Sequence, residues 1–231
     1  MNEVIFSIVL PLYKQESHID ELVHQYVKGL ESQLYSWELI LVVNGNKDNG
    51  FIKAESYATR DKRIIALELK EGGWGKAVKY GMSKAKGIHL CYTNSARTQI
   101  IDLLNILKYA QVNKRSVIKA TRIVRASFLR KLGSILYNFQ NRMLFKTAIM
   151  DVNGTPKVFP NNIWKKLNVL SDGDLIDAEA IAKCFKAEIP VVEIPVRITD
   201  RREGASTTRF SSALKMYTGL LSLYWSMAHE Q

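Results

Sequence analysis

The sequence predicts an α/β domain built on a mostly parallel sheet with helices on both faces. Two observations carry that expectation. Strand-like and helical segments alternate four times within the first hundred residues, and the strand-like runs are apolar throughout instead of at every second position. A strand that is apolar on every residue is buried on both faces, which is the condition of a parallel sheet covered by helices. At 231 residues, 47% hydrophobic and 24% charged, the chain is long enough for a sizeable core and has a globular composition.

The elements follow in order. Residues 4–11 form a β-rich run stopped by Pro11. Helical spacing over about 17–34 places Ile19, Leu22, Val23, Tyr26, Val27 and Leu30 on one face, with Ser17 as N-cap and Asp20 three residues on. A second buried strand at 38–43 ends in the turn Asn44-Gly45-Asn46-Lys47-Asp48. A helix near 50–60, a strand at 64–69, a helix at 75–86 and a strand at 88–92 complete a Rossmann-like half, whose ligands belong at the carboxyl ends of the strands. The second half reads as helices near 100–113 and 126–146 around a strand at 116–120, an extended piece at 157–159, a helix at 177–187 and a strand at 191–196. No linker, low-complexity segment or internal repeat interrupts it. Residues 1–210 read as one domain, followed over 211–231 by an apolar C-terminal helix.

The formal net charge of +11 points to an anionic partner, unless it only solvates the surface. Nucleic acid is disfavoured, because the basic residues are scattered and no aromatic-interleaved patch occurs. Cys91 and Cys184 sit in apolar surroundings without metal-ligand spacing and read as buried thiols in a reducing compartment. No charged leader precedes a long apolar run, and no run reaches membrane-spanning length, so a cytoplasmic protein is expected.

Several short motifs recur in a telling order. They are Pro11-Leu12-Tyr13 with Glu16, the turn Asn44 to Asp48, Gly73-Trp74-Gly75-Lys76-Ala77, and Thr93-Asn94-Ser95-Ala96-Arg97-Thr98. Further on come Arg130, Ser134 and Asn138 at steps of four, opposite apolar neighbours such as Leu132, Ile135 and Leu136, then Asp151 with Gly154 and Lys157. Asp177-Ala178-Glu179, Glu193-Ile194-Pro195-Val196 and Arg201-Arg202-Glu203-Gly204-Ala205-Ser206 close the series. Over about residues 5–210 this order resembles glycosyltransferase family 2, in particular its dolichyl- and polyprenyl-phosphate sugar transferase branch. One departure stands out: from Gly72 to Ile101 the chain has no carboxylate, so the family's Asp-x-Asp metal motif is missing.

The resemblance implies a GT-A, nucleotide-sugar-binding fold and transfer of a sugar from a nucleoside-diphosphate donor to a polyprenyl phosphate or a glycan. It places Pro11, Tyr13 and Glu16 near the nucleobase, with Asn44 and Asp48 in the base-recognising turn. Gly75 and Lys76 fall at a helix start that could meet a phosphate, and Thr93, Asn94 and Ser95 stand where the metal acids would be. Arg130, Ser134, Asn138, Asp151, Lys157, Arg201, Arg202 and Ser206 fall on the acceptor and phosphate side. Asp177 or Glu179 would be the acid beside the acceptor, and Arg97 the cation offsetting leaving-group charge. Bland alternatives stand beside these: a plain turn at 44–48, close helix packing at the glycines, and an acid pair that complements a helix dipole. Mg2+ or Mn2+ remains conceivable, but neutral oxygens are poor ligands for either. A second reading is a catalytically silent relative that binds a sugar nucleotide or lipid phosphate as sensor or scaffold. The C-terminal helix could pack on the body, form a homo-oligomer, or lie peripherally at the inner membrane face through its Trp and Tyr.

Overall fold

A computed structural model describes residues 3–45, 48–123, 128–196 and 210–229, without the side chains of 128–131 and 210–214. Seven strands form one sheet in the order β3-β2-β1-β4-β6-β5-β7. They are β1 (Phe6–Leu12), β2 (Trp37–Asn44), β3 (Ile64–Leu69), β4 (His89–Tyr92), β5 (Val117–Arg122), β6 (Lys157–Pro160) and β7 (Val191–Val196). β1 to β4 pair in parallel, as do β5 and β7, and β6 runs antiparallel between β4 and β5. Every residue of β1, β2, β4 and β6 is buried, as expected of strands covered on both faces.

The helices are α1 (Ile19–Glu31), α2 (Gly50–Arg60), α3 (Trp74–Lys84), α4 (Ile100–Val112), α5 (Phe128–Phe145), α6 (Asn161–Leu167), α7 (Ile176–Lys186) and α8 (Phe210–His229). One core layer joins β1 and β2 to α1 and α4, and a second lies between the opposite sheet face, α3 and α7. Chain order reverses between β1 and β4, so the sheet has a switch point there, the usual place for a ligand crevice. Both cysteines are free and buried; burial raises both thiols, Cys184 to about 12.

Three local expectations need correction. Ser17 does not cap α1: it lies in a 3-10 turn, Glu16–His18, and the cap position falls to His18 without a side-chain bond. The segment is held from outside, because the Glu16 amide donates to Asp48 Oδ2 at 3.3 Å and the Asn49 amide to Glu16 Oε2 at 3.0 Å. Helix α6 had no counterpart in the sequence reading; it starts directly after Pro160 and ends on Asn168 in the left-handed region. On α5 the two faces do separate, but Tyr137 and Asn138 turn inward while Leu132, Ile135 and Leu136 face outward. The C-terminal helix packs on the body: Leu220, Leu223 and Met227 join Tyr137, Ile149, Ala178 and Ile181 in a third core cluster.

Candidate active site

In such a sheet a ligand crevice belongs at the carboxyl ends of β1, β2 and β4. Asn44 ends β2 and bridges its neighbours: its Nδ2 donates 2.9 Å to the Leu12 carbonyl, and its Oδ1 accepts the Gly73 amide at 3.3 Å. Gly45, at φ +84°, has the Tyr13 ring against it, where a Cβ would approach to 2.7 Å. Tyr13 itself is partly exposed, with the Lys14 ammonium 5.7 Å from its ring centre. Asp48 accepts the Glu16 and Gly50 amides and fixes the start of α2.

The start of α3 is less open than the sequence suggested. The Asp172 carbonyl accepts the Lys76 amide at 2.9 Å, and a Cβ on Gly75 would lie 2.6–2.7 Å from the backbone of residues 171–173. Lys76 pairs through its ammonium with Glu71, and Lys79 binds the same loop through the Leu170 carbonyl and the Asp172 carboxylate. The glycines here serve a close approach of loop to helix, and the amide of Lys76 is already taken.

At the end of β4 the acid-free turn is satisfied from within and by the end of β1. The Thr93 and Thr98 hydroxyls share a hydrogen bond of 2.6 Å, and Asn94 Oδ1 accepts the Ala96 amide at 3.1 Å. Ser95 Oγ lies 2.8 Å from Gln15 Oε1 and 3.2 Å from the Pro11 carbonyl. These oxygens are neutral and already engaged, whereas hard divalent cations take carboxylates and carbonyls that are free to converge. Among the described residues no group of three or more His, Cys, Asp and Glu could hold a metal. The donor set does not fit the cation that an Asp-x-Asp pair would carry.

Beyond β4 the chemistry changes to buried ions. Cross-strand register aligns Tyr92 with Lys157, Lys157 with Lys119, and Lys119 with Glu193. Lys157 is fully buried; its ammonium bonds Asp177 Oδ1 and lies 5.5 Å from the centre of the Tyr92 ring. The Tyr92 hydroxyl donates to the same Asp177 oxygen at 2.9 Å. Burial lowers the Lys157 pKa, with Asp177 acting against that shift, and burial followed by Asp177 raises Tyr92. Lys119, also fully buried, is pulled down to about 8, first by burial and then by Lys157, while Glu193 holds its ammonium at 3.0 Å. Arg122 grips both Asp151 oxygens, at 2.5 and 2.7 Å; burial lowers its pKa, but that bond with the charges of Asp151 and Asp177 together raises it. A Cβ on Gly154 would lie 2.1 Å from the Ala120 carbonyl, so the loop after Asp151 wraps β5 closely.

Several acceptor-side expectations change accordingly. Glu179 does not face the crevice: its oxygens accept the Leu170 and Ser171 amides at 2.8 and 2.7 Å, and Lys183 pairs with it at 2.7 Å. Those partners outweigh burial and lower its pKa, so it clamps the loop that covers α3. Lys157 and Asp151 turn inward to Asp177 and Arg122. Asn138 Oδ1 accepts the Val152 amide at 3.0 Å and its Nδ2 donates to Ser134 Oγ at 3.3 Å, which buttresses the loop after α5. Arg201, Arg202, Ser206 and the Arg130 side chain lie outside the described residues. Tyr92, Lys119 and Arg122 escaped the sequence reading, although a lysine inside the apolar strand Val117–Ala120 signals a buried partner.

A mostly parallel sheet with a switch point between β1 and β4, and buried ion pairs beside it, is the arrangement of a Rossmann-like α/β protein of GT-A fold. The model for "Glycosyl transferase family 2" matches residues 7–155, and the chain belongs to that family. It is a glycosyltransferase. It is 22% identical over 230 residues to the dodecaprenyl-phosphate galacturonate synthase of Rhizobium johnstonii, covering 97% of this chain and 68% of the relative. A dolichyl-phosphate beta-glucosyltransferase of Trichomonas vaginalis is 25% identical over 241 residues, covering 96% and 73%. Among solved structures, glucosyl-3-phosphoglycerate synthase from Mycobacterium tuberculosis, crystallised with Mn2+, UDP and phosphoglyceric acid, superposes with a TM-score of 0.74. That match covers 98% of this chain and 79% of the other at 12% identity, a likeness of fold.

Proposed function

We propose that this enzyme transfers a sugar from a nucleoside-diphosphate donor to a polyprenyl phosphate, without a dedicated metal ion. The observation that carries the acceptor is the state of Asp177. A hydroxyl acceptor needs a base within reach, and Asp177 Oδ1 is already engaged by the Lys157 ammonium and the Tyr92 hydroxyl. A phosphate acceptor is already an anion and needs orientation and positive charge instead. Asp177 then positions the acceptor site, and Arg130, Arg201 and Arg202 supply guanidinium groups suited to a phosphate.

On the donor side, Tyr13, Asn44 and Asp48 frame the base, and the 93–98 turn meets the diphosphate. Arg97 closes that turn and offsets charge developing on the leaving group, the part a cation would otherwise take. A lipid-linked acceptor also brings the enzyme to the inner face of a membrane as a peripheral protein.

The test is transfer from a panel of nucleoside-diphosphate sugars to undecaprenyl phosphate and to soluble glycans, with and without EDTA. Product on the lipid phosphate, unchanged by EDTA, is expected. Transfer to a glycan hydroxyl alone overturns the acceptor, and activity lost in EDTA and restored by Mn2+ overturns metal independence.

A further inference from the structure

We propose that the outer faces of α5 and α8 form a docking surface for an anionic bilayer. Leu132, Ile135, Leu136, Phe139 and Met143 recur along α5 at steps of three and four, so they share one face. All five are between 46% and 67% exposed, on a helix whose other face buries Tyr137 and Asn138. α8 packs beside it through ring contacts of Tyr137 with Tyr217 and Phe145 with Tyr224. It adds exposed Leu221, Tyr224 and Trp225. Single exposed apolar residues are ordinary, but a continuous row rimmed by polar groups marks an interaction surface.

Charge selects the occupant. The chain has no Asp or Glu from Leu103 to Met150, and none from Gly204 to His229. Lys146, just past α5, and Lys215 on α8 are exposed, and Arg142 lies on α5 itself. Apolar side chains enter the acyl boundary of an acidic bilayer while lysines and arginines meet its headgroups, and Trp and Tyr favour the same depth. A second copy of this chain would instead bring two basic, acid-free surfaces together. Among the described residues no helix is long and apolar enough to cross a membrane, so these two helices lie along the surface. The surface does not depend on which acceptor the active site takes: docking and the acceptor preference succeed or fail separately.

The full chain is sedimented with vesicles of phosphatidylcholine alone and of phosphatidylcholine with phosphatidylglycerol, while tryptophan emission is followed. Trp225 is the exposed tryptophan among the described residues. Binding to the anionic vesicles with a blue shift is expected, weakened by salt and slight on neutral vesicles. Ile135→Asp with Phe139→Asp weakens binding about tenfold or more, with melting temperature and nucleotide binding unchanged. Lys146→Glu with Lys215→Glu tests the charge contribution separately and also weakens binding. Protein left in the supernatant with anionic vesicles overturns the proposal, as does wild-type-like binding by both variants. A concentration-dependent dimer lost in the Ile135→Asp/Phe139→Asp variant, with vesicle binding intact, assigns the face to a second copy instead.

Discussion

The two sides of the sheet solve the same problem, a polar site inside a packed fold, with different chemistry. On the β1–β4 side the turn at 93–98, whose one charged residue is Arg97, is held by hydrogen bonds between neutral groups, Thr93 with Thr98 and Asn94 with Ala96. On the β5–β7 side three ion pairs are buried or half-buried: Lys119–Glu193, Arg122–Asp151 and Lys157–Asp177. Neutral hydrogen bonds hold a geometry without a strong field, and a buried pair holds one only while both charges remain. The hydrogen bonds of the first side can therefore be lost singly at modest cost. The second is rigid, and each of its members is hard to replace.

The sharpest way to break this comparison is to remove one ion of a pair. Lys157→Met leaves Asp177 buried without its cation and is expected to lower stability by about 3–5 kcal/mol in urea unfolding. Adding Asp177→Leu restores most of that stability while activity stays low. If Lys157→Met alone unfolds like the wild type, the pair is not holding the acceptor side together.

Arg97→Ala probes the neutral side and should do the reverse. A fall in kcat of about 10²–10³-fold is expected, the scale of losing one donor to a developing charge, with the urea midpoint nearly unchanged. A fall in stability as large as that of Lys157→Met would make Arg97 a structural residue.

The smallest effect is one of pH. Lys119 has its pKa lowered from 10.5 to about 8, so between those values the unfolded chain binds more protons than the folded one. Stability from this group therefore rises as pH goes from about 8 towards 10.5, and its burial cost is fully present below 8. Melting profiles from pH 7.5 to 10 compare Lys119→Met with the wild type; the variant should show a flatter rise.

Much of the β1–β4 side was legible because its signals are local. Continuous apolar runs, glycines at turns and helical spacing are read within ten residues of one another, and β1 to β4 fall where those runs lie. The acid-free turn could be located for the same reason. The β5–β7 side was harder, because its partners are distant: Lys119 meets Glu193 across 74 positions, and Thr121 meets it across 72. Glu179 shows the limit well. An acid in the first turn of a helix reads equally as dipole complement, loop clamp or reacting group, and only the two amides it accepts distinguish these. Helix α6 was too short and too weakly periodic to register.

By itself, then, the sequence determined the α/β class, the family resemblance and the loss of the metal acids, since each is written in residue types at short spacing. The tertiary structure decided which charges meet, how the α3 helix start is covered, and that the apolar face of α5 looks outward. Those outcomes depend on cross-strand register and on helix rotation, and both are set by packing between segments far apart in the chain.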